Sequence, residues 1–386
     1  MLTAPRAEGR AEAGVGRILM LASAAHEAVG GIAQYNRDVL DALSHDAAVE
    51  EVVVLPRIGP GAGFAPPAKV RYDSAAAGGK GAFLSRALAH AFGGGRYDLV
   101  YCAHINLIPA AALIARRRRI PLALAIYGID AWRAPESAAT RESARACRHV
   151  IACSQVTLER FQTWAGAAQA TTAVLPGAVH DAGFGAGPKR CDLVSRFGLK
   201  GRRVVMSFGR MHPAERYKGF DEVIEALPAL RRRSPDITYL IAGDGEDRPR
   251  LEAKARALGV ADAVVFAGLV PEAGKADYYR LADAFVMAGF GEGFGFVILE
   301  ALACGLPVVA STRDGSREAV LDGKLGALVD PSDPAALQAA ILKALARPKA
   351  VPAGLAHFSP DAFGERLAAA LREICRGRSA ASPKAL

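Results

Sequence analysis

Apolar residues in this chain fall into short unbroken runs, and the stretches between the runs repeat at helical spacing. Ile18-Leu-Met-Leu-Ala22 and Val204-Val-Met206 are runs of this kind. A run with no polar alternation fits a strand buried on both faces, as in a parallel sheet. The pattern predicts strands at 17–23, 51–55, 69–73, 98–103, 121–127, 149–154 and 172–175. A second series follows at 203–208, 238–242, 263–267, 284–287, 307–310 and 327–329. Helices are expected from the glycine pair at 30–31 through 43, and at 192–199, 220–233, 248–258, 275–282, 295–304 and 333–346. A last one is expected at 361–375, where Phe363, Leu367, Leu371 and Ile374 share one face. Strand alternating with helix implies α/β architecture with parallel sheets, and ligands held beyond the carboxyl ends of the strands.

Residues 176–188 are rich in glycine and proline and lack periodicity, so the chain divides there. The expected organisation is a tail at 1–16, a first Rossmann-like domain at 17–180, a linker at 181–199 and a second Rossmann-like domain at 200–357. A helix at 358–376 packs back toward the first domain, and a tail follows at 377–386. The 386 residues suffice for two domains of ordinary size. Residues 1–16 carry Arg6, Glu8, Arg10 and Glu12 and no apolar core, so no secretory signal is expected there. The uncharged run 99–115 contains His104, Asn106 and Pro109 and fits strand, loop and helix better than a membrane span.

The net charge is +9, with +4 over residues 1–185 (19 basic less 15 acidic) and +5 over the remainder (29 less 24). An excess spread this evenly fits an anionic ligand or surface and gives little support to nucleic acid. Six cysteines without a Cys-x-x-Cys pair are expected to be reduced thiols in a cytoplasm. Arg116 to Arg119 close an expected helix. They are either a solvated C-terminus that suits cations or a patch for anionic lipid headgroups at the inner membrane face.

Candidate chemistry concentrates at 287–307, MAGFGEGFGFVILEALACGLP. Glycines at 289, 291, 293 and 295 allow sharp turns and close approach to a ligand, and the helix they lead into offers free N–H groups to an anion. Glu292 lies on that loop, and Glu300 is the single charge between Gly293 and Pro307. Glu300 either meets an Arg or Lys and does nothing more, or uses its oxygens to read a cis-diol such as ribose. In Gly209-Arg210…Lys218-Gly219 a strand end supplies a planar fork and a helix start a point charge, which together suit two adjacent phosphates. The bland alternative is two surface cations. Gly30 and Gly31 follow the first strand as a turn or a phosphate cradle. With no Gly-x-Gly-x-x-Gly there, a dinucleotide site is not expected. His104 with Asn106, the segment Tyr127-Gly-Ile-Asp130, and Ser154-Gln155 lie at further strand ends of the first half.

Glu292-Gly-Phe-Gly-Phe-Val-Ile-Leu-Glu300, followed by Cys304-Gly-Leu-Pro307, resembles the Glu-x7-Glu signature of family 4 retaining glycosyltransferases. Gly209-Arg210…Lys218-Gly219 and Gly243-Asp-Gly245 resemble the same family. The resemblance implies the GT-B fold, two facing Rossmann-like domains, with a nucleoside-diphosphate sugar as donor and neither metal nor other cofactor required. It implies that Arg210 and Lys218 clamp the diphosphate and that Glu292, with Gly293, Phe294 and Gly295, meets the sugar. By the same resemblance Glu300 holds the ribose, Val270 meets the base, and Gly30, Gly31 and Gly209 line the donor. His104, Asn106, Tyr127 and Asp130 are the implied acceptor or sugar contacts. Many members of that family carry His at the position matching Tyr127; tyrosine there can donate a hydrogen bond but does not titrate near neutral pH. Gly177-Ala178 and Ala288-Gly289 also depart from the family's usual Asn-Gly and Pro-Ser. The expected function is sugar transfer to a carbohydrate or lipid-linked acceptor hydroxyl, in polysaccharide, glycolipid or glycoside synthesis. A nucleotide-sugar epimerase and a non-catalytic nucleotide-sugar binder are the alternatives.

Overall fold

A computed structural model describes residues 15–26, 30–60, 64–166, 171–180 and 183–380. Most of the expected 1–16 and 377–386 tails, and residues 181–182 of the linker, lie outside the described residues.

The first sheet contains β1 (Gly16–Ala22), β2 (Val49–Pro56), β3 (Val70–Tyr72), β4 (Leu99–Cys102), β5 (Leu122–Ile126), β6 (His149–Ala152) and β7 (Thr171–Val174). The second contains β8 (Arg203–Phe208), β9 (Ile237–Ala242), β10 (Val264–Gly268), β11 (Ala284–Met287), β12 (Val308–Ser311) and β13 (Ala327–Val329). The ladders between these strands are parallel. The strand orders are β3-β2-β1-β4-β5-β6-β7 and β10-β9-β8-β11-β12-β13. Strands such as β4 and β9 are buried along their whole length because helices cover both sheet faces, hence the unbroken apolar runs.

Strand order reverses between β1 and β4, and again between β8 and β11. At such a point the loops leaving two neighbouring strands run in opposite directions and open a crevice at their carboxyl ends. The loops carrying Gly30 and Gly31, His104, Arg210 and Glu292 leave these four strands, while Tyr127–Asp130, Ser154-Gln155 and Val270 follow β5, β6 and β10.

The lobes are not independent spheres. One apolar cluster runs from Ile18 and Met20 through Leu175, Phe294, Ile298 and Phe358 to Phe363. The final helix, Pro360–Ala380, reaches beyond the expected end at 376 and packs on the helix Gly31–His45 of the first lobe. Phe363 meets Tyr35 edge-on with ring centres 5.4 Å apart, and the Tyr35 hydroxyl donates to the Leu175 carbonyl at 2.7 Å. Arg280 ties the crossing segment to the second lobe, donating to the carbonyls of Gly183 (2.7 Å) and Gly185 (3.0 Å). Several short elements among the described residues escape sequence periodicity, including the turns at Pro213–Lys218 and Ala353–Phe358 and the helix Ser316–Ala319. None is long enough to show a repeat.

Candidate functional site

The loop after β8 and the loop after β11 are pressed together. Gly219 sits at φ 87°, and a Cβ there would lie 2.5 Å from the Ala288 carbonyl oxygen, so glycine is required on both counts. The Phe290 amide donates to the Tyr217 carbonyl at 2.7 Å. This contact fixes Lys218, whose ammonium lies 2.8 Å from Glu215 Oε2. Arg210, leaving the end of β8, reaches Oε1 of the same carboxylate. The two predicted cations therefore converge on one anionic group at the switch point. They are not scattered surface charges.

Glu292 follows β11 and is half-buried. Its amide donates to Asp314 Oδ2 at 2.9 Å, and its carbonyl accepts from Gly315 at 2.8 Å. Burial pushes its carboxyl up to about 7, against the pull of Lys218 and with a push from Asp314. Asp314, fully buried, is raised by burial to about 6 while accepting from the Ser316 hydroxyl at 2.6 Å. Glu292→Gln mimics the protonated acid. An acid whose folded pKa lies above its ordinary value loses relative stability as pH rises between the two. The melting temperature of Glu292→Gln minus that of the parent is therefore expected to grow by a few degrees from pH 4.5 to 7 and level off above. A difference independent of pH would mean that this ionisation is uncoupled from folding.

Glu300 lies on the helix Phe296–Ala303 and meets both a lysine and a tyrosine. Lys275 Nζ is 2.7 Å from Oε1, and the Tyr279 hydroxyl donates to Oε2 at 2.5 Å. Burial raises its pKa in spite of Lys275. Phe208, at the end of β8, stacks on Tyr279 and lies under Lys275. Gly209, next to it, packs against the Lys218 side chain. Val270 follows β10, half-buried and packed on the main core cluster, beside the 81% exposed Leu269.

The first lobe reaches this loop. Gly128, at φ 143°, faces Gly293 so closely that a Cβ on it would stand 2.8 Å from the Gly293 Cα. Gly31 faces the Phe296 ring, Gly30 begins its helix at φ 128°, and Gly177 is covered by Phe294 and Phe296. Thus Gly31, Gly128, Gly293, Phe294 and the start of the 296–303 helix are gathered at one seam, with Gly295 turning at φ 101° beside Glu292. Tyr127 gives its hydroxyl to Asn36 Oδ1 at 2.9 Å. Asp130 holds Oδ2 buried with no hydrogen-bond partner, and burial raises it to about 7. His104 follows β4, its Nδ1 accepting from the Asn106 amide at 3.1 Å, and burial lowers its pKa.

Five neighbours of the site were not singled out from sequence: Glu215, Lys275, Tyr279, Asp314 and Glu318. Glu318 accepts from the amides of Gln155 (2.7 Å) and Val156 (3.0 Å), so an acid of the second lobe caps a helix of the first. Asp314 could have been suspected, since Thr312-Arg-Asp-Gly-Ser316 is a polar loop at a strand's carboxyl end. The others carry no local signal. Among the described residues, no three His, Cys, Asp or Glu side chains gather as a metal ion would need.

Two parallel lobes meeting at glycine loops, with paired cations at one switch point and paired glutamates beside them, define a GT-B architecture. The Anabaena HepE protein in complex with UDP superposes with a TM-score of 0.71 at 22% identity, over 92% of this chain and 100% of that one. Sucrose-phosphate synthase from Thermosynechococcus elongatus gives 0.66 at 21% identity, over 94% of this chain and 98% of that one. The family model for glycosyl transferases group 1 matches residues 202–347, and that for glycosyltransferase family 4 matches 29–182. The chain belongs to the family 4, group 1 glycosyltransferases. The GDP-mannose-dependent alpha-(1-6)-phosphatidylinositol monomannoside mannosyltransferase of Mycolicibacterium smegmatis is 39% identical over 58% of this chain and 61% of its own length. The D-inositol 3-phosphate glycosyltransferase of Geodermatophilus obscurus is 38% identical over 50% of this chain and 45% of its own. The chain thus matches less than two-thirds of the length of either curated relative.

Proposed function

We propose that this protein transfers a sugar from a nucleoside diphosphate to an acceptor hydroxyl with retention of anomeric configuration. The observation that carries the reading is the convergence of Arg210 and Lys218 on a single anionic position beside Glu292. In this reading a diphosphate takes that position, and the two cations stabilise the negative charge that grows on it as the glycosidic bond breaks. Preorganised electrostatic stabilisation of this type usually contributes more to such catalysis than any other single effect. The cations supply the charge that a divalent metal supplies elsewhere, so the reaction is proposed to need none and no other cofactor. Glu292 and the amides of Gly293 to Gly295 hold the sugar hydroxyls, Glu300 the ribose, and Val270 the rim of the base. Gly30, Gly31 and Gly209 line the donor. His104, Asn106, Tyr127 and Asp130 are assigned to the acceptor side, and the departing phosphate takes the acceptor's proton.

The relatives' names specify GDP-mannose for one donor, and inositol phosphate or phosphatidylinositol mannoside as acceptors. UDP accompanies a structural neighbour. We extend to this chain only the class: a GDP- or UDP-sugar donor and a carbohydrate or lipid-linked polyol acceptor. Incubation with labelled nucleotide sugars tests it. Transfer, or slow donor hydrolysis, supports the transferase. An isomerised donor would indicate an epimerase, and binding without turnover a sensor.

We place the protein in the cytoplasm, at the inner membrane face. Among the described residues the cysteines form no disulfide, which suits a reducing compartment. Among the described residues no helix is long and apolar enough to cross a membrane. Arg116, Arg117 and Arg119 are exposed beside Leu113, and Arg117 lies over the Phe92 ring. Arg118 is occupied, donating to the Gly93 carbonyl at 2.7 Å and to those of His90 and Gly95. Reversing Arg116, Arg117 and Arg119 to Glu is expected to lower sedimentation with phosphatidylglycerol vesicles by tenfold or more, since each cation contributes about 1 kcal/mol at an anionic surface. Neutral vesicles serve as the control, and unchanged binding would remove the assignment.

A further inference from the structure

We infer that Glu215 is a resident counter-ion of the donor site, an internal anion that the diphosphate must displace and that helps expel the nucleoside diphosphate product. The inference rests on the clamp reading of Arg210 and Lys218. Its starting observation is that one carboxylate engages both: Oε2 lies 2.8 Å from Lys218 Nζ, and Oε1 accepts from Arg210 Nη2.

The carboxylate is held there by the backbone. The turn Pro213–Lys218 starts at His212, whose Nδ1 accepts from the Ala214 amide at 3.1 Å. It is pinned at its other end by the Phe290 amide on the Tyr217 carbonyl, and the Tyr217 ring fills the space over Gly291. Between these anchors the backbone departs from helical geometry at Glu215 itself (φ −114°, ψ 27°). That departure leaves the side chain among the cations. The side chains of Glu215 and Lys218 are each 15% exposed, whereas that of Arg210 is 66% exposed. Lys218 thus depends on the carboxylate when no ligand is bound, because a nearly buried ammonium without an anion is unfavourable. Burial alone would raise the Glu215 carboxyl, but Arg210 and Lys218 outweigh it and hold it below the usual carboxylate range. The competing anion is therefore present at any working pH.

A diphosphate offers more charge and more oxygens than a single carboxylate, so it can satisfy both cations at once. In taking that place it must move a like charge aside, and that requirement weakens its binding. The same charge returns when the leaving diphosphate departs. Its return favours opening of the site after transfer, a step that often limits turnover in enzymes. Glu215 acts through the clamp and is a positioning residue. It is not proposed to touch the sugar.

Titration calorimetry with UDP and with GDP, on the parent, Glu215→Gln, Glu215→Asp and Arg210→Ala, tests the inference. Glu215→Gln is expected to bind the preferred nucleoside diphosphate about tenfold more tightly than the parent does, tenfold corresponding to about 1.4 kcal/mol. The unliganded variant should melt lower than the parent, and product inhibition in the transfer assay should strengthen by the same factor as binding. Glu215→Asp, too short to span both cations, is expected to lie between and covers the case in which the glutamine variant does not fold. Unchanged or weaker diphosphate binding in Glu215→Gln, or in Glu215→Asp where that stands in for it, would overturn the counter-ion role. If Arg210→Ala leaves diphosphate binding unchanged, the clamp reading fails instead, whatever the Glu215 variants do.

Discussion

Lys218→Ala is expected to reduce the transfer rate by about 10²- to 10³-fold, the loss typical when one preorganised charge at a developing anion is removed. Three features of the site set this size. Lys218 is 15% exposed, so its charge acts through protein more than through water. Its side chain packs against Gly209 at the end of β8, so its place is fixed before any ligand arrives. It also lowers the pKa of Glu292, so one cation serves both the diphosphate and the sugar side of the site. The fold is expected to persist, because Arg210 still partners Glu215 after the truncation. The stability loss should stay near that of one charged hydrogen bond, about 1.5 to 3 kcal/mol. Single-turnover kinetics with a labelled donor, alongside a thermal melt, separates the two effects. A variant that folds and turns over at a near-normal rate would remove Lys218 from the clamp.

Glu300→Gln should lower both stability and nucleotide affinity, and the two losses have different origins. Lys275 is 12% exposed and Glu300 16%, and the lysine's remaining acid partner, Glu272, stands 3.7 Å away and is itself 65% exposed. Taking the charge from Glu300 strands a nearly buried ammonium, and breaking such pairs destabilises by about 3 to 5 kcal/mol. A fall of several degrees in melting temperature is expected from that alone. Stability therefore cannot report on the ribose. A carboxylate has about four acceptor positions, and Lys275 and Tyr279 take two, which leaves room for two ribose hydroxyls. The discriminating measurement compares a ribonucleoside diphosphate with its 2′-deoxy form. The parent should prefer the ribo form about tenfold, the worth of one hydrogen bond to a charged group, and Glu300→Gln should lose most of that preference. If the preference survives, Glu300 is a partner for Lys275 and Tyr279 and does not read the ribose.

Much of this molecule is legible in the order of its residues. The thirteen strands among the described residues appear within two residues of where the sequence places them, most plainly inner ones such as β4 and β9, because a strand covered on both faces has to be apolar throughout. The helix Phe220–Arg233 is legible to the residue, since Gly219 and Ser234 punctuate it. Arg210 and Lys218 stand out as a pair because each sits beside a glycine at an element boundary. Glu215, three residues from Lys218, carries no such mark: nothing local distinguishes it from any exposed acid in a turn.

The local pattern by itself determined the alternation of strand and helix, hence two parallel sheets, and it put Glu292 and Glu300 on a glycine loop and the helix that follows. Those properties depend on neighbours a few residues away. Tertiary structure alone decided that Glu300 meets Lys275, 25 positions earlier, and that Tyr127 gives its hydroxyl to Asn36, 91 positions earlier. It alone placed Gly128 against Gly293 and set Glu318 on the amides of Gln155 and Val156. The physical reason is that a side chain's charge state and partners are set by burial and by whatever the packing of distant elements brings within about 3 Å, the reach of a hydrogen bond.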